Sequence, residues 1–184
     1  YHYHALPDNW EQMDYREFLE KRRELIAQII HEGYQALAAT NKRQEEPKAY
    51  DLAAMIEDGE SQAVEFKATL RTNMHTGKAD KRMETAVLKT IAGFLNTHGG
   101  TLVVGMSDDG VPVGLKVDHF QNEDKMSLHL VNIVKSRINP QALTSMHIHF
   151  EDHNSGRIMM VQCSQSTKPV FVKDDQIERF YIRT

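Results

Sequence analysis

A glutamate and a lysine two residues apart, Glu65 and Lys67, have the type and spacing that could do chemistry in this sequence. The residues around them predict a β-strand, and side chains two apart on a strand share a face. Glu65 and Lys67 therefore point to one side, while Val64 and Phe66 point to the core. An acid and a lysine in this arrangement are typical of metal-dependent nucleases. There the carboxylate holds Mg²⁺ or Mn²⁺ and the lysine stabilises charge or activates water.

Two further carboxylates are expected near this pair. Glu60 lies five residues before Glu65, and Asp108 follows the next predicted strand, 101–106. If the two strands are neighbours, the three carboxylates and Lys67 converge at one strand edge. Hard oxygen ligands suit Mg²⁺ and Mn²⁺, so we expect Glu60, Glu65 and Asp108 as metal ligands. With Lys67, they are the predicted catalytic cluster for phosphodiester hydrolysis.

The same spacing has a purely structural interpretation. Glu65 and Lys67 would then form an exposed cross-strand ion pair, which contributes little to stability. Glu60 would accept backbone hydrogen bonds at the start of the strand. Asp109 adjoins Asp108, so the third carboxylate is not fixed by spacing. Both interpretations stay open at the level of the residues.

A basic segment follows the predicted strand. Residues 67–89 carry six lysine or arginine side chains against two carboxylates. The whole chain has a net charge of −4, which disfavours a dedicated duplex-DNA binder. The local excess would still steer a phosphate backbone, although 71–80 could equally be a solvated loop. The residues predicted to bind single-stranded or structured RNA or DNA are Lys67, Arg71, Lys78, Lys81, Arg82 and Arg183, the last of which could instead pair with an acid.

Other classes of site are disfavoured. Gly99-Gly100 lies between a predicted helix and a strand, the reverse of the order in a phosphate-binding loop, so no ATP site is expected. These glycines are predicted to end the helix and to allow close backbone approach. The single cysteine, Cys163, and the spacing of the ten histidines disfavour a zinc site. No apolar run approaches a membrane span and no secretory signal is visible, so a cytoplasmic protein is expected.

The elements that position these residues follow from hydrophobic periodicity. Residues 9–38 predict an amphipathic helix capped by Asp8 or Asn9, and 39–50 predict a linker. We therefore divide the chain into a helical extension, 1–46, and a domain, 47–184. The expected fold is α+β, with a mixed β-sheet packed against two main helices. Predicted strands are 61–69, 101–106, 145–152, 157–163, 170–173 and 178–183, and predicted helices are 51–56, 81–97 and 122–138.

Several blocks of the chain resemble a known family. E-S-x-x-x-E-F-K at 60–67, K-T-I-A-G-F-L-N-T-x-G-G-T-L-V-V-G-x-x-D-D-G at 89–110, and F-Y-I-R-T at 180–184 occur in order. So do N-E-D-K and K-P-V-F between the last two. Together, over about 51–184, they resemble the Schlafen-type AlbA-like domain, which is common in bacteria. The resemblance implies a nucleic-acid-binding domain of a regulatory or phage-defence protein, such as a transcription regulator.

The resemblance also bears on the carboxylates. Ribonuclease members of the Schlafen family have a three-carboxylate active site, and the matching positions here are Glu60, Glu65 and, loosely, Asp108. It therefore implies a metal-dependent endoribonuclease, whereas the Schlafen zinc motif is missing. The competing prediction is a non-catalytic protein–protein interaction module that forms homo-oligomers through helix 9–38. The net acidity favours it, and the chain reads as a fragment of a longer polypeptide.

Overall fold

The computed structural model describes residues 13–41, 52–153, 156–174 and 177–183. The chain divides into two compact units, 1–50 and 51–184. The described part of the first unit is one long helix, α1 (Tyr15–Asn41). Its start is capped by Asp14, whose Oδ1 accepts hydrogen bonds from the backbone N–H groups of Arg16 (2.7 Å) and Glu17 (3.0 Å).

The predicted helix 9–38 is thus present with different limits. Its predicted caps, Asp8 and Asn9, and most of the predicted linker lie outside the described residues. Residues 39–41, assigned to the linker, are helical. Leu19 and Ile26, two apolar residues of this predicted amphipathic helix, are exposed. No helix among the described residues is both long enough and apolar enough to cross a membrane.

The second unit mixes helices and strands, which confirms the α+β prediction. Two 3₁₀ turns, Leu115–Asp118 and Pro140–Ser145, flank the second long helix. In chain order the helices and strands are α2 (Leu52–Asp58), β1 (Val64–Lys67), β2 (Thr72–Asn73), β3 (Lys78–Ala79), α3 (Lys81–Leu95), β4 (Gly100–Val104), α4 (Glu123–Arg137), β5 (Met146–His153), β6 (Gly156–Cys163), β7 (Phe171–Asp174) and β8 (Ile177–Phe180).

The main sheet has four strands in the order β1-β4-β6-β5. β1 and β4 are parallel, with Glu65 opposite Leu102 and Lys67 opposite Val104. A parallel pair needs a crossover connection, which here contains α3. β6 is antiparallel to both β4 and β5. The predicted strand 101–106 is observed as β4, which lies between β1 and β6, and its apolar run is explained because Leu102, Val103 and Val104 are fully buried.

The two faces of this sheet are covered by different helices. Leu102 and Val104 join the larger apolar cluster, which includes side chains of α3 and α4. Phe66 and Val103 join a smaller cluster with Leu52 of α2. The alternation along β1 therefore buries Phe66 and turns Glu65 and Lys67 to the other side, as period two requires.

The polar stretch 71–80, predicted as a loop, is a short hairpin. Thr72 lies opposite Ala79 and Asn73 opposite Lys78. The chain reverses at Gly77, whose φ is 66°, and Asn73 Oδ1 accepts the N–H of His75 (2.9 Å). Glycine and asparagine favour such a turn, and it organises the basic residues into an ordered arm.

Gly99 and Gly100 end α3 by allowing close backbone approach. Gly99 has a φ of 84°, and a Cβ there would overlap the carbonyl oxygen of Cys163. A Cβ on Gly100 would overlap the ring of Phe94. The interpretation of these glycines as a helix stop with close packing is confirmed, since neither site has room for a side chain.

Candidate functional site

The ammonium group of Lys67 lies between two carboxylates. Its Nζ is 2.8 Å from Glu65 Oε1 and 3.6 Å from Asp108 Oδ1. It also donates a hydrogen bond to the carbonyl oxygen of Phe66 at 2.7 Å. The Glu65 and Lys67 side chains are 19% and 24% exposed, whereas that of Asp108 is 76% exposed. Three of the four residues of the predicted cluster therefore lie together, because Lys67 contacts both Glu65 and Asp108.

The parallel pairing of β1 and β4 explains this meeting. The carboxyl ends of both strands reach the same edge, where Gly105 N–H donates to Lys67 O (2.8 Å). The chain then turns at 107–110, closed by the hydrogen bond from Gly110 N–H to Ser107 O (2.9 Å). Asp108 lies in this turn, so strand register and turn together place it beside Lys67.

Arg183 provides a second cation for Glu65. Its Nη1 donates to Glu65 Oε2 (2.7 Å), Nη2 to Ser61 O (2.5 Å) and Nε to Gln62 O (3.1 Å). The guanidinium carbon lies 4.8 Å from the centre of the Phe94 ring. Of the two roles left open by the sequence, pairing with an acid is the one seen. Arg183 fastens the end of the described chain to the segment that leads into β1.

The charge state of Glu65 follows from these contacts. Burial raises the pKa of Glu65, but hydrogen bonds and charge from Lys67 and Arg183 outweigh it, so the pKa lies below its ordinary value. Glu65 is therefore ionised at neutral pH. In this arrangement it acts as a hydrogen-bond acceptor and cannot donate a proton as a general acid.

Glu60 has the structural role that the sequence offered as an alternative. Its Oε1 accepts the backbone N–H of Phe66 at 2.8 Å. Ser61 supports the same turn, because its Oγ accepts the N–H of Val64 at 3.1 Å. Glu60 and Glu65 border one open depression of about 390 Å³, which Arg183 also lines. The depression is thus lined by both signs of charge.

A divalent metal does not fit these carboxylates as they are arranged. Within 13–41, 52–153, 156–174 and 177–183, no group of three or more histidine, cysteine, aspartate or glutamate side chains is placed to hold a metal ion. Glu60 faces a backbone amide, and the two oxygens of Glu65 face two cations. The metal site formed by Glu60, Glu65 and Asp108 stays a prediction.

Arg71, predicted to bind phosphate, is engaged within the protein. Its Nε donates to Asp118 O (3.1 Å) and its Nη2 to His119 O (3.2 Å). The guanidinium carbon lies 3.7 Å from the centre of the Phe120 ring. Nε and Nη2 are used within the protein and Phe120 covers one face of the guanidinium, so Arg71 holds the base of the hairpin.

Arg82 is similarly paired, although its side chain is 80% exposed. Its Nη2 lies 2.7 Å from Asp80 Oδ2, and its backbone N–H donates to Asp80 Oδ1 (2.9 Å), which caps α3. Hydrogen bonds from Arg82 hold the pKa of Asp80 well below its usual range. A neighbouring negative charge thus offsets Arg82, which reduces its attraction for phosphate.

Lys78 and Lys81 differ from the other predicted cations. Lys78 is on the exposed strand β3 and Lys81 is the first residue of α3, also exposed. Neither ammonium group forms an ion pair with another residue in the described part of the chain. These two lysines are therefore the members of the predicted set that are most available to a phosphate.

Sequence reasoning missed Asp118. Its side chain is 1% exposed and accepts three backbone N–H bonds, from Leu70 (2.6 Å), Arg71 (2.9 Å) and Thr72 (2.9 Å). This carboxylate fixes the connection between β1 and β2. No local signal marked it, because its partners are 46 to 48 residues away in the sequence.

Residues 60–184 match the family model described as Schlafen, AlbA_2. Among solved structures, the chain is similar to the N-terminal domain of an ATP-dependent DNA helicase RecG-related protein from Nitrosomonas europaea. The identity is 22% and the TM-score 0.49, over 72% of this chain and 85% of that chain. It is also similar to the DIP2311 protein from Corynebacterium diphtheriae, at 14% identity and a TM-score of 0.47, over 70% of this chain and 25% of that one. No curated protein matches the sequence.

Proposed function

The chain belongs to the Schlafen AlbA_2 family, and we propose that its second unit binds RNA or DNA. The contact surface is the cationic arm, defined as residues 72–82. The observation that carries the proposal is the pair of exposed lysines on this arm, Lys78 and Lys81, which have no ion-pair partner among the described residues. Phosphate contacts by such lysines dominate nucleic-acid affinity.

The surroundings of the arm support this role. Asp118 and Arg71 hold its base through buried and partly buried hydrogen bonds, and Asp80 caps the helix that carries Lys81. The lysines are therefore presented from an ordered support, which limits the ordering cost of binding. In a chain of net charge −4, a local positive surface also restricts where a phosphate backbone is attracted.

The test is binding of fluorescein-labelled single-stranded RNA, single-stranded DNA and duplex DNA, followed by fluorescence anisotropy. Lys78→Glu/Lys81→Glu should weaken binding by roughly tenfold or more, because two attractive contacts become repulsive. Lys125→Glu/Lys135→Glu is the matched control, since both are exposed lysines on α4 without an ion-pair partner among the described residues. Equal losses in both variants would mean that the arm is not the contact surface.

Metal-dependent cleavage of the bound nucleic acid is the second candidate. The observation in its favour is the meeting of Glu65, Lys67 and Asp108 at an accessible edge. It requires Glu60, Glu65 and Asp108 to exchange their present partners for a metal ion. Manganese-dependent cleavage of labelled RNA that is lost in Glu65→Gln would support it. Intact RNA with binding retained would leave a binding domain alone, in keeping with a regulatory or defence protein.

An interaction role for α1 is a separate proposal. Leu19 and Ile26 are 37% and 45% exposed on this helix. We propose that this apolar side is where copies of the chain associate. Light scattering should show a homo-oligomer that Leu19→Glu/Ile26→Glu dissociates, whereas a monomeric wild type would exclude this role.

A further inference from the structure

Two aromatic rings lie exposed on the β7–β8 hairpin. Phe171 and Phe180 are opposite each other across the strands, with ring centroids 5.4 Å apart and planes at 49°. They are 42% and 50% exposed, whereas Val172, on the opposite face, is buried at 1%. The hairpin therefore packs through one face and presents two adjacent aromatic rings on the other.

Asn96, the residue that caps the end of α3, holds this hairpin in place. Its Oδ1 accepts the N–H of Val170 (2.7 Å), while its Nδ2 donates to Val170 O (2.8 Å) and Tyr181 O (2.9 Å). The residues just before β7 and just after β8 are thus fixed by one side chain. The ring pair is consequently attached to a rigid support, with little backbone freedom to lose on binding.

A chain of hydrogen bonds connects the aromatic hairpin to the cationic arm. Thr85 Oγ1 donates to Lys81 O (2.8 Å) and accepts from Arg137 Nη2 (2.9 Å). The same guanidinium donates from Nη2 to Asp174 Oδ1 (3.2 Å) and from Nε to Lys173 O (3.1 Å). Lys173 is two residues, or about 7 Å, from Phe171 along β7. The first turn of α3 and the aromatic hairpin are therefore neighbours.

Two lysines lie near the rings. Lys173 is on the same strand face as Phe171 and is paired with Glu178 at 3.4 Å, and Lys168 is exposed three residues before Phe171. Exposed aromatic faces next to cations suit a ligand that has both flat rings and phosphates. A nucleic-acid strand with unpaired bases has this combination.

We propose that Phe171 and Phe180 form a stacking platform for bases of a single-stranded RNA or DNA whose phosphates contact Lys78 and Lys81. This inference rests on the proposed nucleic-acid binding and specifies the form of the ligand. In a duplex the bases are already stacked on each other, so the platform selects single strands over duplex of equal length.

The test compares binding of labelled 12-nucleotide oligo(dT), oligo(U) and a matched DNA duplex to the full chain. Phe171→Ala/Phe180→Ala should weaken single-strand binding by about fivefold or more, as expected for loss of base stacking. Ile177→Ala is the control, since Ile177 is 56% exposed on the same hairpin and is paired in register with Asp174. Circular dichroism should show that all variants are folded.

A second readout reports stacking directly. Trp10 is the one tryptophan of the chain, so Phe180→Trp in a Trp10→Phe background gives a single indole on the platform. Oligo(dT) should quench its fluorescence with the same midpoint as the binding curve. The proposal is overturned if the wild type binds while the double alanine variant binds equally well and no quenching occurs. It is equally overturned if the alanine variant changes only the oligomeric state. If the wild type binds none of the three probes, the proposed function, binding of RNA or DNA, is itself contradicted.

Discussion

Arg183 and Glu65 form an ion pair of 2.7 Å between residues that are 118 positions apart in the sequence. The guanidinium of Arg183 thus contacts the carboxylate of Glu65, which the sequence predicts to be a metal ligand. Together with Lys67, it leaves Glu65 neutralised by two cations. The contact therefore bears on both stability and function, since it locks the end of the described chain and occupies the candidate metal ligand.

Removing Arg183 should destabilise the second unit. Arg183→Ala deletes one hydrogen bond to a carboxylate and three to backbone carbonyls, and we expect the free energy of unfolding to fall by about 2 kcal/mol. Urea unfolding followed by circular dichroism measures this loss. Arg179→Ala is the control, because Arg179 is exposed. If both variants lose the same small amount, the Arg183 contacts contribute little in solution.

The contribution of Glu65 to stability should depend on pH in a defined direction. The folded pKa of Glu65 is below the ordinary 4.5, so its stabilising effect is present above 4.5 and is lost as the pH falls through the folded value. The wild type should therefore be more stable than Glu65→Gln near neutral pH, and the difference should shrink on acidification. Urea titrations at neutral and acidic pH test this. A difference that grows with acidification would contradict the assigned direction.

Asp118 should be essential for the order of the cationic arm. Asp118→Ala leaves the N–H groups of Leu70, Arg71 and Thr72 without their acceptor, and we expect a loss of about 3 kcal/mol or more. Hydrogen exchange of these three amides should accelerate most. Protection that is unchanged in a folded variant would show that the carboxylate does not hold this segment.

Alanine substitutions at two glycines should show how much stability is lost to steric overlap and how much to backbone strain. Gly100→Ala introduces a Cβ that overlaps the Phe94 ring, so it should cost several kcal/mol, of the order seen for overpacked cores. Gly77→Ala has a φ of 66° but no atom within 4 Å of its Cβ, so it should cost only about 1–2 kcal/mol. Thermal unfolding of both variants compares them. Equal losses would mean that the Phe94 ring moves aside.

Patterns among residues close in sequence were sufficient to predict many of the helices and strands of this fold. Alternation placed Glu65 and Lys67 on one face, and the apolar run of β4 indicated a central strand. The predicted helix 81–97 is observed at 81–95, with Asp80 as its N-cap. Asp108 was found by assuming that β1 and β4 are neighbours, which the parallel pairing confirms.

The interactions between distant residues could not be predicted in this way. The hairpin β2–β3 is held by Asp118, and Arg183 contacts Glu65 across 118 residues of sequence. The engagement of Arg71 with residues 118–120 is likewise invisible locally. The sequence pattern therefore predicted six cations that bind phosphate. The tertiary structure distinguishes Lys78 and Lys81 from the other four, because the side chains of those four form ion pairs or hydrogen bonds within the protein.

The salt dependence of single-strand binding tests the central claim most directly. We would measure the affinity of the wild type and of Lys78→Glu/Lys81→Glu for oligo(U) between about 50 and 200 mM salt. Each phosphate contact on a single strand contributes about 0.7 to the slope of log affinity against log salt, so the variant should have a slope smaller by about 1.4. An unchanged slope and affinity would contradict the assignment of the cationic arm as the nucleic-acid contact.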